Sequence, residues 1–250
     1  MQQFQSNLSA LQSRTGGFLT DLRVLDIGCA RAIALMSRFD LNSFSDAAFD
    51  ELGIDRPHSL DNAVEKRRAE FLAGRTVAQA ALSALGRGAE QIRVGTNREP
   101  IWPEGIAGSI AHSSTRCAAV ISDRADMMIG VDIEDVARAA ALDSIFQVTL
   151  LTDETRLIRK QDVMPAAVLA TLVFSAKETL YKALFPKVRR FFGFDHAELI
   201  APPDAYGLKL RLIQRLDARF CEGREFEIGY KILADTVITW LVTLDLVERG

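Results

Sequence analysis

Two short segments carry side chains suited to phosphate chemistry. The first predicts a β-strand, on which Asp132 and Glu134 lie two residues apart and point to the same face. The second, residues 174–182, predicts the start of a helix, on which Glu178 and Lys182 lie four residues apart and share a face. Carboxylate oxygens bind hard cations, and cations neutralise phosphate oxygens. If strand and helix pack together, these residues predict a site that acts on phosphates.

Each segment also has a purely structural interpretation. Asp132 and Glu134 fit the solvated face of an edge strand. Ser175 and Glu178 have the spacing of a capping box at a helix start. Glu178 and Lys182 fit a surface ion pair worth about 0.3–0.5 kcal/mol. The residues by themselves leave these alternatives open.

A basic cluster on a predicted helix at 61–85 adds candidates for phosphate binding. Arg67 and Arg75 lie eight residues apart, about two helical turns, so both reach one face and could clamp a phosphate. The alternative is the solvated face of an amphipathic helix. Arg98, in an Asn-Arg-Glu-Pro loop, and His112, at the end of a predicted strand, are further candidates, although a lone strand histidine is more often structural.

The elements that must position these residues predict an α+β fold. A helix followed by antiparallel strands occurs twice, which indicates two similar α+β halves, residues 1–125 and 126–250, with the active site at their interface. Residues 1–60 show no strong period. The predicted elements are a helix at 61–85, a loop at 94–105, a hairpin of 108–113 and 117–122, a strand at 128–135, helices at 143–160 and 165–185, and strands at 194–200, 206–214, 225–233 and 236–244.

Bulk properties of the 250-residue chain limit the possible functions. The formal net charge of −3 gives no reason to expect nucleic-acid or anionic-membrane binding. Three widely separated cysteines fit a reducing compartment, and the polar N-terminus lacks a signal-peptide pattern. With no apolar run of the ~20 residues that span a bilayer, we expect a cytoplasmic protein that binds no membrane. A monomer is the default expectation.

One further segment, residues 24–29 (VLDIGC), resembles the glycine turn of methyltransferases that use S-adenosylmethionine. Ala30 and Arg31 follow where more glycine is expected, and no acidic residue follows at a second strand end. These departures weaken the match, and a methyltransferase is the second hypothesis. A third is a regulator that binds anions without catalysis and whose carboxylates are only structural.

The chain resembles the 4′-phosphopantetheinyl transferases. It is most similar to the two-half, surfactin-synthetase-activating type and, within that type, to the enterobactin synthetase component D branch. Five blocks in matching order carry the resemblance: KRRAEFLAGR at 66–75, PIWP at 100–103, GSIAH at 108–112, GVDIE at 130–134 and FSAKExxxK at 174–182. Ala111 departs from the serine or threonine that many relatives have before the histidine.

The resemblance implies transfer of phosphopantetheine from coenzyme A to a serine of an apo acyl or peptidyl carrier protein, releasing adenosine 3′,5′-bisphosphate. Siderophore, nonribosomal-peptide, polyketide or fatty-acid synthesis would use the product. The implied ligands of Mg²⁺, or of Mn²⁺, are Asp132, Glu134 and Glu178. The implied catalytic residues are Asp132, Glu178 and Lys182, with Glu178 as base or only as ligand. The implied coenzyme A phosphate ligands are Arg67, Arg75, Arg98, His112, Lys177 and Lys182.

Carrier proteins of this class present an acidic helix with an apolar spot beside the modified serine, so their docking surface should be basic and apolar. Residues 184–192 have that composition. Within them we expect Phe185, Lys187, Arg189 and Arg190 to contact the carrier. The alternative is that the phenylalanines of this stretch belong to the core.

Overall fold

Helices and antiparallel sheets make up both parts of the chain, which confirms the predicted α+β class. The computed structural model describes residues 2–245. The chain divides into two units, Met1–Met127 and Met128–Gly250. Each unit has a hydrophobic core drawn from its own residues, between Leu8 and Ile121 in the first and between Met128 and Leu241 in the second.

The first unit is a four-stranded antiparallel sheet with a long helix, α3, packed on it. The strand order is β1-β2-β6-β5, and the predicted hairpin is confirmed, with His112 opposite Cys117. The elements are α1 Gln2–Arg14, β1 Leu19–Val24, β2 Ile33–Phe39, α2 Ala48–Leu52, α3 Glu65–Ala84, β3 Arg93–Val94, β4 Pro100–Ile101, β5 Ala107–His112 and β6 Arg116–Ser122.

Helix α3 approaches strand β5 closely because residue 74 is glycine. A Cβ atom on Gly74 would lie 2.8 Å from Cγ2 of Ile110, nearer than carbon atoms pack. Leu72 and Leu82 on the predicted apolar stripe are fully buried, whereas Val64, which precedes the first helical turn, is 72% exposed. The close contact of Gly74 with Ile110 brings the basic residues of α3 beside the end of β5.

The second unit is a five-stranded antiparallel sheet of order β7-β11-β10-β9-β8, against which the longest helix, α6, packs. The predicted pairing of the last two strands is confirmed. The elements are β7 Met127–Asp135, α4 Ala139–Ser144, a π-helical turn Ile145–Thr149, α5 Thr152–Lys160, α6 Ala166–Val188, β8 Ala197–Leu199, β9 Leu208–Leu212, β10 Glu225–Leu233 and β11 Thr236–Leu244.

Helix α6 lies against β7 and β11 through a seam of small and hydroxylated residues. A Cβ atom on Gly130 would collide with the carbonyl oxygen of Thr179, so only glycine allows this approach of β7 to α6. The buried hydroxyls of Ser175 and Thr179 both bond Thr239 Oγ1 of β11, at 2.9 Å and 2.6 Å. The seam fixes which face of α6 is turned to the sheet.

Several sequence-based assignments were wrong in detail. The helix predicted at 165–185 is confirmed as α6, but the helix start predicted near residue 174, with Ser175 as its cap, is wrong because Ser175 lies mid-helix. The helix predicted at 143–160 is divided into α4, the π-helical turn and α5. The loop predicted at 94–105 contains the two-residue strand β4, which pairs with β3 where the loop begins.

The methyltransferase interpretation of residues 24–29 is also wrong. Strands β1 and β2 form an antiparallel hairpin in which Val24 pairs with Leu35. Between them the N–H of Gly28 donates to Oδ1 of Asp26 at 3.0 Å, in a local turn with no helix after it. A nucleotide-binding turn of that class joins a parallel strand to a helix.

No helix within residues 2–245 is long and apolar enough to cross a membrane.

Candidate active site

A cavity of about 290 Å³ lies within the first unit, where α3, the β3–β4 hairpin and the end of β5 meet. The four side chains that the sequence predicts to hold coenzyme A phosphates all line it: Arg67, Arg75, Arg98 and His112. Arg67 donates from Nη1 to Nε2 of His112 at 2.9 Å, so this geometry makes Nε2 the acceptor. The cavity is therefore strongly cationic.

Arg75 is the most buried of these residues, with 7% of its surface exposed. Its guanidinium lies 4.9 Å from the centre of the Phe71 ring and donates to the Arg93 carbonyl oxygen at 3.4 Å. Burial, and secondly the charge of Arg67, lower the pKa of Arg75 to about 10, so it stays protonated at neutral pH. Its buried Nε has no hydrogen-bond partner within residues 2–245. A buried, incompletely paired guanidinium suits an anionic ligand.

Arg98 reaches the cavity from a strained turn. Its φ is +65°, a conformation that residues with a Cβ rarely adopt. The turn is closed by the Arg98 N–H, which donates to the Gly95 carbonyl oxygen at 3.0 Å, and by the Gly95 N–H, which donates to that of Glu99 at 2.8 Å. The β3–β4 hairpin thus holds an arginine where glycine is favoured.

Glu70 also lines the cavity, and sequence reasoning missed it. Its side chain is 13% exposed, and Oε2 lies 3.6 Å from Nη1 of Arg67 and 3.8 Å from Nδ1 of His112. Oε1 lies 3.9 Å from Nζ of Lys66. The signal was available, because Glu70 is the only acidic residue in the block KRRAEFLAGR.

The second unit brings Asp132 of β7 against Lys182 of α6. Nζ of Lys182 lies 2.6 Å from Oδ1 of Asp132. Asp132 is 3% exposed, and its other oxygen, Oδ2, is buried with no hydrogen-bond partner in the described part of the chain. The solvated-face interpretation of Asp132 is therefore wrong, and the close approach at Gly130 is what makes this pairing possible.

The carboxyl groups around Lys182 repel one another. Burial, followed by the charge of Asp132, raises the pKa of Glu134 to about 8. Burial also raises the pKa of Glu178; Lys182 opposes this shift and Asp132 adds to it. Burial disfavours the ammonium of Lys182, but the charge and hydrogen bond of Asp132 outweigh it and raise its pKa. One ammonium thus faces three carboxyl groups, which favours a further cation.

The donor chemistry at this cluster fits a hard divalent cation. Within residues 2–245 no three His, Cys, Asp or Glu side chains are already arranged as a metal site. Mg²⁺ does not require such a cage, because it is usually bound by one or two carboxylates and completes its octahedron with water and substrate phosphate. The unpartnered, buried Oδ2 of Asp132 supplies an oxygen of the required kind.

Lys177 does not join this cluster. Its side chain is 2% exposed, and Nζ donates to Oε2 of Glu154 at 2.8 Å and to the carbonyl oxygens of Thr149 and Phe194, each at 3.1 Å. Since all three hydrogens have acceptors inside the protein, the predicted contact of Lys177 with a pyrophosphate does not fit the structure. Burial lowers the pKa of Lys177, and Glu154 partly compensates.

A second, apolar pocket of about 220 Å³ lies beside Glu178. Its walls include the rings of Tyr181, Phe191, Phe192 and Phe194. Phe191 is 71% exposed and stacks on Tyr181 with ring centres 6.3 Å apart. The pocket is a small aromatic surface next to a site carboxylate.

The predicted docking residues of 184–192 have different environments. Phe185 is 5% exposed and lies in the core, so the prediction that it contacts a carrier was wrong. Lys187 pairs with Asp245 at 3.2 Å. Arg189 ends α6 in a left-handed conformation, with a φ of +56°. Arg190 donates to the Arg215 carbonyl oxygen at 2.9 Å.

Both units match known protein families in sequence. Residues 56–122 match the 4′-phosphopantetheinyl transferase N-terminal domain, and residues 128–230 match the 4′-phosphopantetheinyl transferase superfamily. The chain belongs to the 4′-phosphopantetheinyl transferase family. The five blocks of the sequence resemblance all fall inside the two matched regions, and so do the cavity and the Asp132–Lys182 pair.

The names of individual relatives of this transferase support the same family assignment. It is 35% identical to enterobactin synthase component D of Salmonella typhi over 184 residues, 74% of this chain and 75% of that protein. It is 34% identical to the 4′-phosphopantetheinyl transferase PptT of Mycobacterium tuberculosis over 186 residues, 69% of this chain and 79% of that protein. The enterobactin synthase component D of Escherichia coli O157:H7 is 38% identical over 186 residues, 73% of this chain and 82% of that protein.

Membership of this family excludes the non-catalytic regulator hypothesis. The transferase is an enzyme, and its name describes the group that it transfers. The predicted position of the active site at the interface of the two halves, and the predicted roles of its residues, stay predictions.

Proposed function

We propose that this transferase moves 4′-phosphopantetheine from coenzyme A to a serine of an apo acyl or peptidyl carrier protein, in a magnesium-dependent reaction. The serine Oγ forms a bond to the phosphorus that carries the pantetheine, and the P–O bond to the nucleotide breaks. Adenosine 3′,5′-bisphosphate leaves. The observation that best supports this reaction is the buried Asp132–Lys182 pair, inside the region that matches the family.

The cationic cavity of the first unit is the proposed site for the phosphates of the nucleotide. Arg75 supplies a buried guanidinium, while Arg67 and His112 already lie in hydrogen-bond contact with each other. Arg98, on the β3–β4 hairpin, adds a third guanidinium to the lining of the cavity. Guanidinium groups bind phosphate through paired hydrogen bonds, so these residues select a phosphorylated ligand.

In the second unit, Glu178 is the proposed acceptor of the serine proton. Its raised pKa brings its proton affinity closer to what a base needs at neutral pH. Lys182 donates hydrogen bonds to the phosphate that leaves and stabilises the charge that develops there. Asp132 holds the Lys182 ammonium in place through their 2.6 Å contact.

Asp132, Glu134 and Glu178 would hold the magnesium ion, or Mn²⁺ in its place. When bound, such an ion neutralises charge on the pyrophosphate oxygens and so assists departure of the nucleotide. The three carboxyl groups also need a cation for their own sake, as the raised pKa of Glu134 indicates.

The apolar pocket beside Glu178 is the proposed contact for the apolar spot of the carrier protein. Phe191, not Phe185, offers the exposed ring, and Lys187, Arg189 and Arg190 are the basic residues that precede it in sequence. The carrier would belong to siderophore, nonribosomal-peptide, polyketide or fatty-acid synthesis. We further propose a cytoplasmic monomer.

The test is the intact mass of an apo carrier protein after incubation with this transferase, coenzyme A and Mg²⁺. We expect the carrier to gain one phosphopantetheine group, and expect EDTA or Glu178→Gln to prevent the gain. Glu198→Gln is the matched control, because Glu198 lies in the same unit and pairs with Arg211 outside the site. A bound but unconsumed coenzyme A across several carriers, or full activity of Glu178→Gln, would contradict the proposal.

A further inference from the structure

Glu70 places a negative charge in a cavity that is otherwise built for anions. Its carboxylate is nearly buried and lies within 4 Å of the Arg67 guanidinium and of Nδ1 of His112. In a site that binds phosphate, a carboxylate at this position repels the ligand. A carboxylate that opposes phosphate binding is unexpected in such a cavity, so its presence needs a physical explanation.

The distances distinguish an electrostatic role from a bonded one. The separations of Oε2 from Arg67 Nη1 and from His112 Nδ1, 3.6 Å and 3.8 Å, exceed hydrogen-bond length, whereas Arg67 and His112 bond each other at 2.9 Å. Glu70 is therefore not the group that orients Arg67 and His112. It acts on them, and on whatever they bind, mainly through its charge.

The cationic side chains that line the cavity also repel one another when no ligand is bound. Three arginines and a histidine line about 290 Å³. The charge of Arg67 already contributes to the lowered pKa of Arg75. A carboxylate among these groups relieves their repulsion in the free enzyme, and competes with phosphate for them.

We propose that Glu70 sets the affinity of the cavity for the phosphorylated nucleotide, stabilising the empty cavity and weakening the hold on coenzyme A and on adenosine 3′,5′-bisphosphate alike. This inference rests on the proposed function of the cavity. Its consequence is turnover: because the nucleotide product keeps the phosphates that the cavity binds, a weaker grip lets that product leave. Glu70 thus lowers the affinity of the cavity for the nucleotide and raises the rate at which the nucleotide product leaves.

The experiment compares Glu70→Gln with Glu65→Gln by calorimetric titration of adenosine 3′,5′-bisphosphate and of coenzyme A. Glu65 is exposed in the first turn of the same helix, so its variant changes the net charge equally outside the cavity. We expect Glu70→Gln to bind both nucleotides about tenfold more tightly, the order expected for one unit charge a few ångströms from a phosphate at a partly solvated site. Glu65→Gln should bind like the wild type.

Steady-state kinetics provide a readout that a purely structural role would not give. We expect Glu70→Gln to lower both KM for coenzyme A and kcat, because tighter product binding slows release. Glu70→Asp, which keeps the charge, should bind the nucleotides like the wild type. Equal or weaker binding by Glu70→Gln, or tighter binding by Glu70→Asp as well, would overturn the inference.

The same titrations separate this inference from the proposed function. If the wild type binds coenzyme A and Arg75→Gln weakens it, the cavity is the nucleotide site, and only the Glu70 result is then in question. If the wild type binds neither nucleotide, the proposed role of the cavity fails, and the inference fails with it.

Discussion

At the residue scale, Asp132 is held in an environment that is costly for a carboxylate. One oxygen bonds Lys182 and the other is buried with no partner among residues 2–245. An unsatisfied buried polar group costs roughly 1–3 kcal/mol, and more if charged. Such a cost persists in an enzyme where the group serves catalysis or binds a cation. This environment supports the functional role that we propose for Asp132.

The raised pKa of Glu134 leads to a prediction about metal-free protein. Because the folded state binds a proton on Glu134 more tightly than the unfolded state, stability in EDTA should fall as pH rises from 4.5 to about 8. A divalent cation competes with that proton, so Mg²⁺ should raise the melting temperature more at pH 8 than at pH 6. Thermal unfolding with and without Mg²⁺ measures both effects. An unchanged pH dependence in Glu134→Gln would contradict this assignment.

Phe191 is the residue through which we expect to separate carrier binding from nucleotide binding. Phe191→Ser removes an exposed ring from the apolar pocket without disturbing the core. We expect KM for the carrier to rise about tenfold, as for loss of an aromatic contact at an interface, while KM for coenzyme A is unchanged. Exposed Tyr206, which lies outside that pocket, gives a matched control in Tyr206→Ser. Equal carrier KM values for both variants would exclude the pocket as a docking site.

The sequence predicted most of the residues that the structure brings together at the two candidate sites, while their roles stay predictions. Spacing on one strand face and one helix face was enough to find Asp132 and Lys182, because those faces are fixed by backbone geometry. It misassigned Lys177, since one residue along a helix turns the side chain by about 100°, away from Glu178 and into the core. It also missed Glu70, because an acid in a basic stretch looks like an ordinary surface ion pair.

At the scale of elements, the approach of β7 to α6 depends on one glycine. In Gly130→Ala the new methyl group would collide with the Thr179 carbonyl oxygen, which cannot rotate away. We expect a loss of about 2–3 kcal/mol in the free energy of unfolding, measured by urea denaturation. The folded fraction should also lose transfer activity, because Asp132 moves away from Lys182.

Gly193→Ala is the matched control for that variant. Its Cβ would meet only the side chain of Asp195, whose carboxylate is 65% exposed and can rotate away at the expense of its hydrogen bond with His196. We expect Gly193→Ala to retain stability and activity. Equal stability of the two variants would show that the β7–α6 contact has room for a side chain.

The β3–β4 hairpin holds Arg98 at a conformational cost. Glycine at this position removes the strain of a left-handed residue but adds flexibility to the unfolded chain. We therefore expect Arg98→Gly to raise the free energy of unfolding by about 0.5–1 kcal/mol and to weaken coenzyme A binding. Arg98→Lys keeps the strain and the charge and should change stability little. A less stable Arg98→Gly would mean that the arginine side chain stabilises the turn.

The two long helices and the hairpins with short turns were predicted from local sequence, whereas strands β1 to β4 were not. The pairs β5–β6 and β10–β11 follow from alternation and a short turn, both visible within about twenty residues. The role of Ser175 was not visible, because it resembles a helix cap until its hydroxyl is seen bonded to Thr239 in another element. Within the helix predicted at 143–160, Glu154 is buried and pairs with Lys177, a contact between distant segments that the local sequence does not reveal.

At the scale of the whole molecule, the two units have separate cores and separate chemical groups. Every lining residue of the cationic cavity belongs to the first unit, and its core residues lie between Leu8 and Ile121. We therefore expect residues 1–127, expressed alone, to unfold cooperatively and to bind adenosine 3′,5′-bisphosphate. Calorimetry and titration measure both properties, with Arg75→Gln as the non-binding control. A fragment without a cooperative transition would contradict the independence of this core.

The contiguity of the first unit in sequence also bears on how the chain is made. A ribosome adds roughly 5–20 residues per second, so synthesis of the remaining half takes on the order of ten seconds. Domains of this size commonly fold within milliseconds to seconds. The nascent chain therefore has time to complete its cationic cavity before Asp132 and Glu178 emerge. Nucleotide in the surrounding solution could then stabilise the half-made enzyme, so that the substrate acts as a folding aid during translation.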